Sequence, residues 1–199
     1  MSLRSASLLI FILILIDQLS KMYIKTNFVL GEEVEVFNWF KIHFIENEGM
    51  AWGTVIPGAY GKLVLTVFRI FAVCAIGYWL WDSTKKRHSS SYLVLAISLI
   101  FAGALGNIID SVFYGVMFDD STNKLATFFP EQPYGTLFYG KVVDMFYFPI
   151  YSGVLPEWLP YWGGNQFNFF NAIFNVADMA ISTGVGVLIV FNKKAFQNH

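Results

Sequence analysis

Long apolar stretches alternate with polar segments along this chain of 199 residues. Four stretches are apolar enough, and close enough to the roughly 20 residues that a helix needs, to cross a lipid bilayer. They cover approximately residues 8–27, 63–82, 92–116 and 169–191. The two longest segments between them, 28–62 and 117–168, follow the first and third stretches. The pattern predicts a mainly α membrane protein in which residues 1–199 form a single domain with four transmembrane helices.

The first outer segment contains a short alternation of apolar and polar side chains. Phe40, Ile42 and Phe44 alternate with Lys41 and His43. A period of two residues is typical of a β-strand, because successive side chains of a strand point to opposite faces. We therefore expect a small outer β-sheet lying on the membrane surface.

The second outer segment is rich in proline and glycine, which predicts a long extracytoplasmic loop with only short regular elements. Residues 142–148 are its one apolar run, and Asp144 lies near the centre of that run. A loop surrounded by water has no need of such an apolar run. We expect it to return to the membrane surface and to present Asp144 there.

Composition agrees with a membrane protein, and charge orients it. Hydrophobic residues make up 56% of the chain and charged residues 14%, whereas soluble domains contain about 25% charged residues. With four crossings, Arg4, the basic residues 85–87 and Lys193 all lie on one side, which the positive-inside rule assigns to the cytoplasm. Both termini are therefore predicted to be cytoplasmic. The only cysteine, Cys74, excludes an intrachain disulfide, and we expect it to pack inside the protein.

Polar side chains within the spans are costly in hydrocarbon and by default mark functional sites. They occur at helical spacing in the outer halves of three spans, as Asp17 and Lys21, as Asn107 and Asp110, and as Asn171, Asn175 and Asp178. An ion pair of Asp17 with Lys21 either carries the helix end to the interface or braces a polar site. Arg69, at a similar depth in the second span, either extends outward along its own side chain or supplies positive charge to buried carboxylates.

The inventory of reactive side chains leaves few kinds of chemistry. The three histidines lie outside the predicted spans, so a nucleophilic triad or a haem site has little support. An oxygen-only site from Asp110, Asp144 and Asp178 is a poor one for zinc, and we expect neither a metal nor a cofactor. Two aspartates that share one proton can activate a water molecule and protonate a leaving amine, because like charges at close range do not both ionise.

Five short motifs run in order along nearly the whole chain. They are Asp17-Gln18-x-x-Lys21, Asn47-x-Gly49-x-Ala51-Trp52-Gly53, Gly106-Asn107-x-x-Asp110, Val142-Val143-Asp144 and Phe174-Asn175-x-Ala177-Asp178. Together with the four-span plan, these motifs resemble those of the lipoprotein signal peptidases, also called signal peptidase II. One motif alone would be a weak signal, whereas five in sequence are highly specific.

The resemblance implies an intramembrane aspartic endopeptidase with Asp144 and Asp178 as its catalytic pair. It implies cleavage of a diacylglyceryl-modified bacterial prolipoprotein just before the lipidated cysteine. The residues expected to support the pair or bind substrate are Asp17, Lys21, Asn47, Gly49, Ala51, Trp52, Arg69, Gly106, Asn107, Asp110, Asn175 and Ala177. The implied location is the bacterial inner membrane, with the active site at its outer face. We expect a monomer that contacts membrane lipid and has no nucleic-acid partner.

The chain departs from the family pattern at three places. Ser111 follows Asp110 where the family usually has an arginine, and we hypothesise that Arg69 supplies the missing charge. Met145 follows Asp144 where phenylalanine is common. The outer segments 111–141 and 145–168 are also longer than is usual.

Two other functions remain as alternatives. A small proton-coupled transporter could use the same aspartates, but it should place polar residues in both halves of the spans or show inverted repeats. The inner halves here are apolar and no repeat is evident. A membrane adaptor that binds a partner helix through Gly103, Gly106 and Asn107 would explain the small residues but not Asp144 together with Asp178.

Overall fold

Two long apolar helices, α1 (Leu3–Asn27) and α2 (Gly61–Lys85), pack against a third, α3 (Ser91–Ile109). The computed structural model describes residues 1–49, 56–86 and 89–197. The third helix continues through a π-helical turn, Asp110–Tyr114, into the short helix α4, Gly115–Met117. Each of the three helical segments is long and apolar enough to cross a membrane.

The fourth apolar stretch folds differently from its prediction. Its helix, α5 (Val176–Val190), has 15 residues and begins seven positions after the predicted start at 169. Asn171, Asn175 and Asp178 therefore do not form one helical stripe, and that prediction is wrong. The cause is local, because a short run of aromatic and β-branched residues suits a strand as well as a helix. The helix instead starts at a capping box between Asn175 and Asp178, and a short helix, α6 (Asn192–Ala195), follows it.

A small antiparallel sheet lies outside the helices, as predicted. Its strand order is β1-β2-β3-β6, with bounds Glu33–Phe37, Phe40–Asn47, Val142–Tyr147 and Ile173–Phe174. In the register of the sheet, Ile45 lies opposite Asp144 and Phe146 lies opposite Phe174. The sheet therefore brings the 142–148 run beside the residues that lead into α5.

The remainder of the second outer segment is mostly irregular and carries a separate two-stranded sheet. The strands β4 (Tyr151–Val154) and β5 (Gln166–Phe169), which follow β3 and precede β6 in the sequence, pair antiparallel with each other. A buried apolar cluster joins the main sheet to the ends of α1 and α3 and to the 117–141 segment. Its members are Ile24, Phe44, Tyr114, Phe118, Ala126, Val143 and Met145. The sheet and the helices thus share one core at the outer end of the molecule.

Small residues let α3 approach both α1 and α5 closely. A Cβ atom at Gly106 would lie 2.7 Å from Asp17 Oδ2 and 3.3 Å from Ala177 Cβ. A Cβ atom at Gly103 would collide with the carbonyl oxygen of Ala177. The face of α3 through which an adaptor would bind a partner helix is therefore already covered by α5 of the same chain. The position of Cys74 also differs from its prediction, because the residue is exposed on the outer surface of α2.

Candidate active site

A closed charge cluster lies between α1 and α3, and we define it as Asp17, Gln18, Lys21, Asp110 and Tyr114. The Lys21 Nζ atom is 2.8 Å from Asp17 Oδ2 and 2.8 Å from Asp110 Oδ2, so the predicted pair of Asp17 with Lys21 is present. Gln18 Nε2 donates to Asp110 Oδ1 at 2.9 Å, and the Tyr114 hydroxyl donates to Gln18 Oε1 at 3.2 Å. All five side chains are buried. One ammonium group is therefore shared by two carboxylates, and Gln18 and Tyr114 extend the hydrogen-bond network.

Two carboxylates lie in a different setting close by. Asp144, on β3, and Asp178, in the first turn of α5, line one cavity of about 520 Å³. The cavity is enclosed by the end of β2, by β3, by the residues before α5, and by side chains of α2, α3 and α5. Its other lining residues are Ile45, Glu46, Asn47, Gly49, Arg69, Asn107, Val142, Asn171, Ala172, Ile173 and Phe174. Asn171 thus reaches the site through an extended segment rather than through a helix.

Asn175 connects the two carboxylates. Its Nδ2 group donates to Asp144 Oδ1 at 2.6 Å, and its Oδ1 atom accepts from the backbone amide of Asp178 at 3.0 Å. The backbone amide of Asn175 donates in turn to Asp178 Oδ2 at 3.3 Å. The helix cap therefore also fixes the position of Asp178 relative to Asp144.

Asn107 connects Asp144 and Asp178, here called the open pair, to the closed charge cluster. Its Oδ1 atom accepts from Lys21 Nζ at 2.8 Å and from Asn175 Nδ2 at 3.2 Å. Its Nδ2 group donates to Asp178 Oδ1 at 2.8 Å. With both ends of its amide fixed, Asn107 orients Asp178 from the side of α3.

Burial changes the proton affinity of Asp144. Loss of solvent, and then the nearby Asp178 carboxylate, raise the pKa of Asp144 to about 8. Asp144 is therefore protonated at neutral pH. Asp178 lies in the first turn of α5, where the helix dipole stabilises negative charge. The two carboxyl groups thus lie in different environments.

Arg69 brings a positive charge to the same cavity. Its Nη1 atom is buried and has no hydrogen-bond partner among the described residues. The guanidinium group lies directly against Gly49, whose φ is +91°, and a Cβ atom there would collide with Arg69 Nη1. Glycine at position 49 therefore allows both the backbone angle and the close contact. Ala51 and Trp52, predicted for the same motif, lie outside the described residues.

The other predicted residues surround these two groups. The Asn47 side-chain amide donates to Asp144 Oδ2, and the Ala177 backbone amide donates to Asp17 Oδ1 at 2.9 Å. Ser111 does not replace an arginine chemically, because its hydroxyl donates to the Asn107 carbonyl oxygen of its own helix at 3.0 Å. In the described part of the chain, no three His, Cys, Asp or Glu side chains are placed to hold a metal ion.

Four polar residues of the outer region were not predicted. Gln18 and Tyr114 complete the closed charge cluster, and Lys25 forms a buried ion pair with Glu46. Gln18 was visible inside the first motif. Lys25 lies one helical turn after Lys21, so it could have been found as a second lysine on the same face of α1.

The cavity with its two carboxylates lies between apolar helices and a small sheet. This arrangement is typical of a membrane protein with an enzyme-like polar site. Two solved structures of bacterial membrane enzymes have the same fold. One has a TM-score of 0.66 and 24% sequence identity, and the match covers 99% of this chain and 93% of that chain. The other has a TM-score of 0.64 and 26% identity, with coverages of 96% and 94%.

Sequence comparison identifies the family. The model of the signal peptidase (SPase) II family matches residues 9–193. The lipoprotein signal peptidase of Porphyromonas gingivalis is 48% identical over 183 residues, which are 92% of this chain and 80% of that protein. That of Amoebophilus asiaticus is 38% identical, over 92% of this chain and 74% of that protein. The chain belongs to the signal peptidase II family, which confirms the resemblance and implies a peptidase. These relatives do not favour the transporter alternative.

Proposed function

We propose that this protein removes signal peptides from lipid-modified prolipoproteins by an aspartic mechanism, cutting just before the lipidated cysteine. Family membership supports the substrate class. One observation carries the mechanism, namely that Asp144 and Asp178 line one cavity and are connected through Asn175. A single shared proton gives this pair the general acid and the general base that amide hydrolysis requires.

The proton distribution suggests a role for each aspartate. Asp178 takes a proton from the attacking water molecule, while Asp144, protonated, donates a hydrogen bond to the scissile carbonyl. The tetrahedral intermediate then collapses, and the amine of the lipidated cysteine leaves with a proton from the pair. Asn107 and Asn175 hold the carboxylates in the orientation that this exchange needs. The two residues position the pair and need not contact the substrate.

Arg69 is proposed to act on the substrate side of the cavity. A buried guanidinium with an unpaired N–H is costly unless a ligand completes its hydrogen bonds. A carbonyl oxygen of the bound peptide would accept from Arg69 Nη1 and gain stabilisation as negative charge develops on it. This role would compensate for Ser111, which brings no charge to the pair.

The site also suggests a placement in the membrane. We propose that α5 completes a fourth crossing and that both termini are cytoplasmic, because the basic residues then share one side. The sheet and the carboxylate pair would face the outer surface of the bacterial inner membrane. The apolar signal segment would reach the cavity from the lipid beside the helices. We propose a monomer that needs no cofactor.

Cleavage of a defined substrate tests this function. The purified protein, in detergent or in vesicles, is incubated with a synthetic prolipoprotein peptide carrying a diacylglyceryl cysteine, and with the same peptide lacking the lipid. We expect mass spectrometry to detect cleavage before the cysteine of the lipidated peptide only. Cleavage of both peptides at equal rates would contradict recognition of the lipid, and cleavage of neither would contradict the function.

A further inference from the structure

A second cavity, here called the outer groove, lies next to the carboxylate cavity. Its volume is about 440 Å³. It is lined mainly by polar side chains, among them Glu46, Asp120, Thr122, Thr136, Tyr139 and Lys141. All of its lining residues lie on the strand β2 or on the segment between α4 and β3, and none lies on a membrane-crossing helix. The groove is therefore an outer feature of the molecule.

The outer groove adjoins the proposed active site. Glu46 lines both cavities. The next residue along β2 is Asn47, whose side-chain amide donates to Asp144. Lys141, which lines the groove, directly precedes β3 and lies three residues before Asp144. The two cavities therefore meet at the end of β2.

The floor of the groove is polar but electrically balanced. Glu46 is paired with the buried Lys25, whose Nζ atom also donates to the Ser121 hydroxyl at 2.9 Å. Lys141 Nζ lies 3.7 Å from the other Glu46 oxygen. The Asp120 carboxylate accepts from the backbone amide of Thr122 at 2.9 Å. Of the two lining carboxylates, Glu46 is paired with Lys25 buried beneath it, and Lys141 adds an ammonium group to the lining, so the groove favours a neutral, hydrogen-bonding ligand over an ion.

The wall of the groove is held in place by backbone hydrogen bonds to the end of the third helical segment. The amide of Gly135 donates to the carbonyl oxygen of Gly115 at 2.9 Å, and that of Phe138 donates to the carbonyl oxygen of Val112 at 3.0 Å. A Cβ atom at Gly115 would lie 2.6 Å from the Thr136 carbonyl oxygen, which shows how closely the wall approaches the helix. A preformed wall can bind an extended chain with little ordering cost.

We propose that the outer groove binds the mature polypeptide that follows the scissile bond, in an extended conformation. This inference rests on the proposed function and adds a substrate-binding surface to it. The signal segment is apolar and belongs among the helices, whereas the mature chain must leave toward water. A polar groove without net charge matches a peptide backbone, which carries one donor and one acceptor at most residues. The longer outer segment of this chain thus builds a site for the part of the substrate that remains after cleavage.

Substrate length and a filled groove test the inference together. Two lipidated peptides are compared, one ending two residues after the cysteine and one with about ten residues there, which extend over about 33 Å. The groove is filled by Thr136→Trp or, from another part of its lining, by Thr122→Trp. Leu137→Trp serves as the matched control, because Leu137 is exposed beside Thr136 but does not line the groove. Melting temperatures establish that each variant is folded.

The wild-type protein is expected to cleave the long peptide with a kcat/KM about tenfold above that of the short one, mainly through a lower KM. Each groove-filling variant should lose this preference and keep the wild-type rate on the short peptide, while Leu137→Trp should keep the preference. Equal kcat/KM values for the two peptides in the wild-type protein would overturn the inference but leave the proposed function intact. So would a groove-filling variant that slows both peptides alike. Failure to cleave either peptide would overturn the proposed function and the inference with it.

Discussion

Two groups of carboxylates lie side by side in this protein and differ in how their charges are satisfied. In the closed charge cluster, Lys21 lies 2.8 Å from both Asp17 and Asp110. In the open pair, neither Asp144 nor Asp178 forms an ion pair with a described lysine, arginine or histidine. Their hydrogen bonds come from asparagine side chains and backbone, and a cavity lies in front of them.

This difference distinguishes carboxylates that stabilise the fold from carboxylates that can take part in a reaction. A buried charge with a complete set of partners contributes to a defined packing of helices and has no capacity left for a ligand. A carboxyl pair that forms no ion pair with a described residue and lines a cavity can hold a proton and exchange it with a substrate. Burial and ionisable side chains alone therefore do not distinguish the two groups, whereas the missing ion pair and the cavity do, and they make Asp144 and Asp178 the candidate active site.

The largest effect is expected from removing the acid of the open pair. Asp144→Asn keeps the shape of the side chain but cannot share a proton with Asp178. We expect kcat to fall at least about a thousandfold, with a melting temperature within experimental error of wild type. Single-turnover cleavage of the lipidated peptide measures the rate. A variant that retains even a tenth of the wild-type rate would remove Asp144 from the proposed mechanism.

Breaking the closed charge cluster should instead affect stability. Lys21→Met leaves Asp17 and Asp110 buried without their cation, and we expect a loss of about 3–5 kcal/mol in the free energy of unfolding. Unfolding in a denaturant series at fixed detergent concentration measures this loss. Lys41→Met, which breaks a partly exposed ion pair with Glu33, is the control and should leave stability unchanged. Equal stability of the two variants would contradict the distinction.

Arg69 is the one cation among the described residues that line the cavity, and its removal sharpens the comparison. We expect Arg69→Gln to lower kcat/KM about a hundredfold, because a donor to the developing negative charge is lost. Arg69→Lys should recover part of this loss. Lys86→Gln, directly after the end of α2, is the control and should behave as wild type. Wild-type kinetics in Arg69→Gln would show that the cavity does not use this charge.

The pH dependence should report the proton on Asp144. Because the pKa of Asp144 is raised to about 8, this carboxyl group is protonated below that pH, whereas above it Asp144 ionises and the acid is lost. The rate should therefore fall about tenfold per pH unit above about pH 8. A pH profile of kcat/KM, with folding checked at each pH, measures this limb. A rate that rises through pH 9 would contradict the assignment of the acid.

Much of the helical plan could be predicted because long apolar stretches report it directly. Asp17 and Lys21 could be paired from their spacing alone, since neighbours on a helix are fixed by its period. The pairing of Lys21 with Asp110 could not be predicted, because it depends on how α1 packs against α3. The depth of Arg69 suggested a role, but only the fold places it against Gly49.

The start of α5 was mispredicted for a physical reason. Residues 169–174 are apolar and partly aromatic, and at that length periodicity does not separate a strand from a helix. Here tertiary pairing decides, because Phe174 lies opposite Phe146 in the sheet. This pairing changes Asn175 from a presumed helix residue into the cap that connects Asp144 with Asp178. The contacts by which Asn175 connects the two aspartates therefore could not be predicted from the sequence.

A paired measurement on Asp178→Asn and Asp110→Asn tests the distinction between the two groups most directly. Each substitution neutralises one aspartate, either the partly exposed Asp178 of the open pair or the fully buried Asp110 of the closed charge cluster. Cleavage rate and melting temperature are measured on the same preparations. We predict that Asp178→Asn abolishes cleavage at an unchanged melting temperature, and that Asp110→Asn lowers the melting temperature while its folded fraction still cleaves. Retained cleavage in Asp178→Asn would contradict the account.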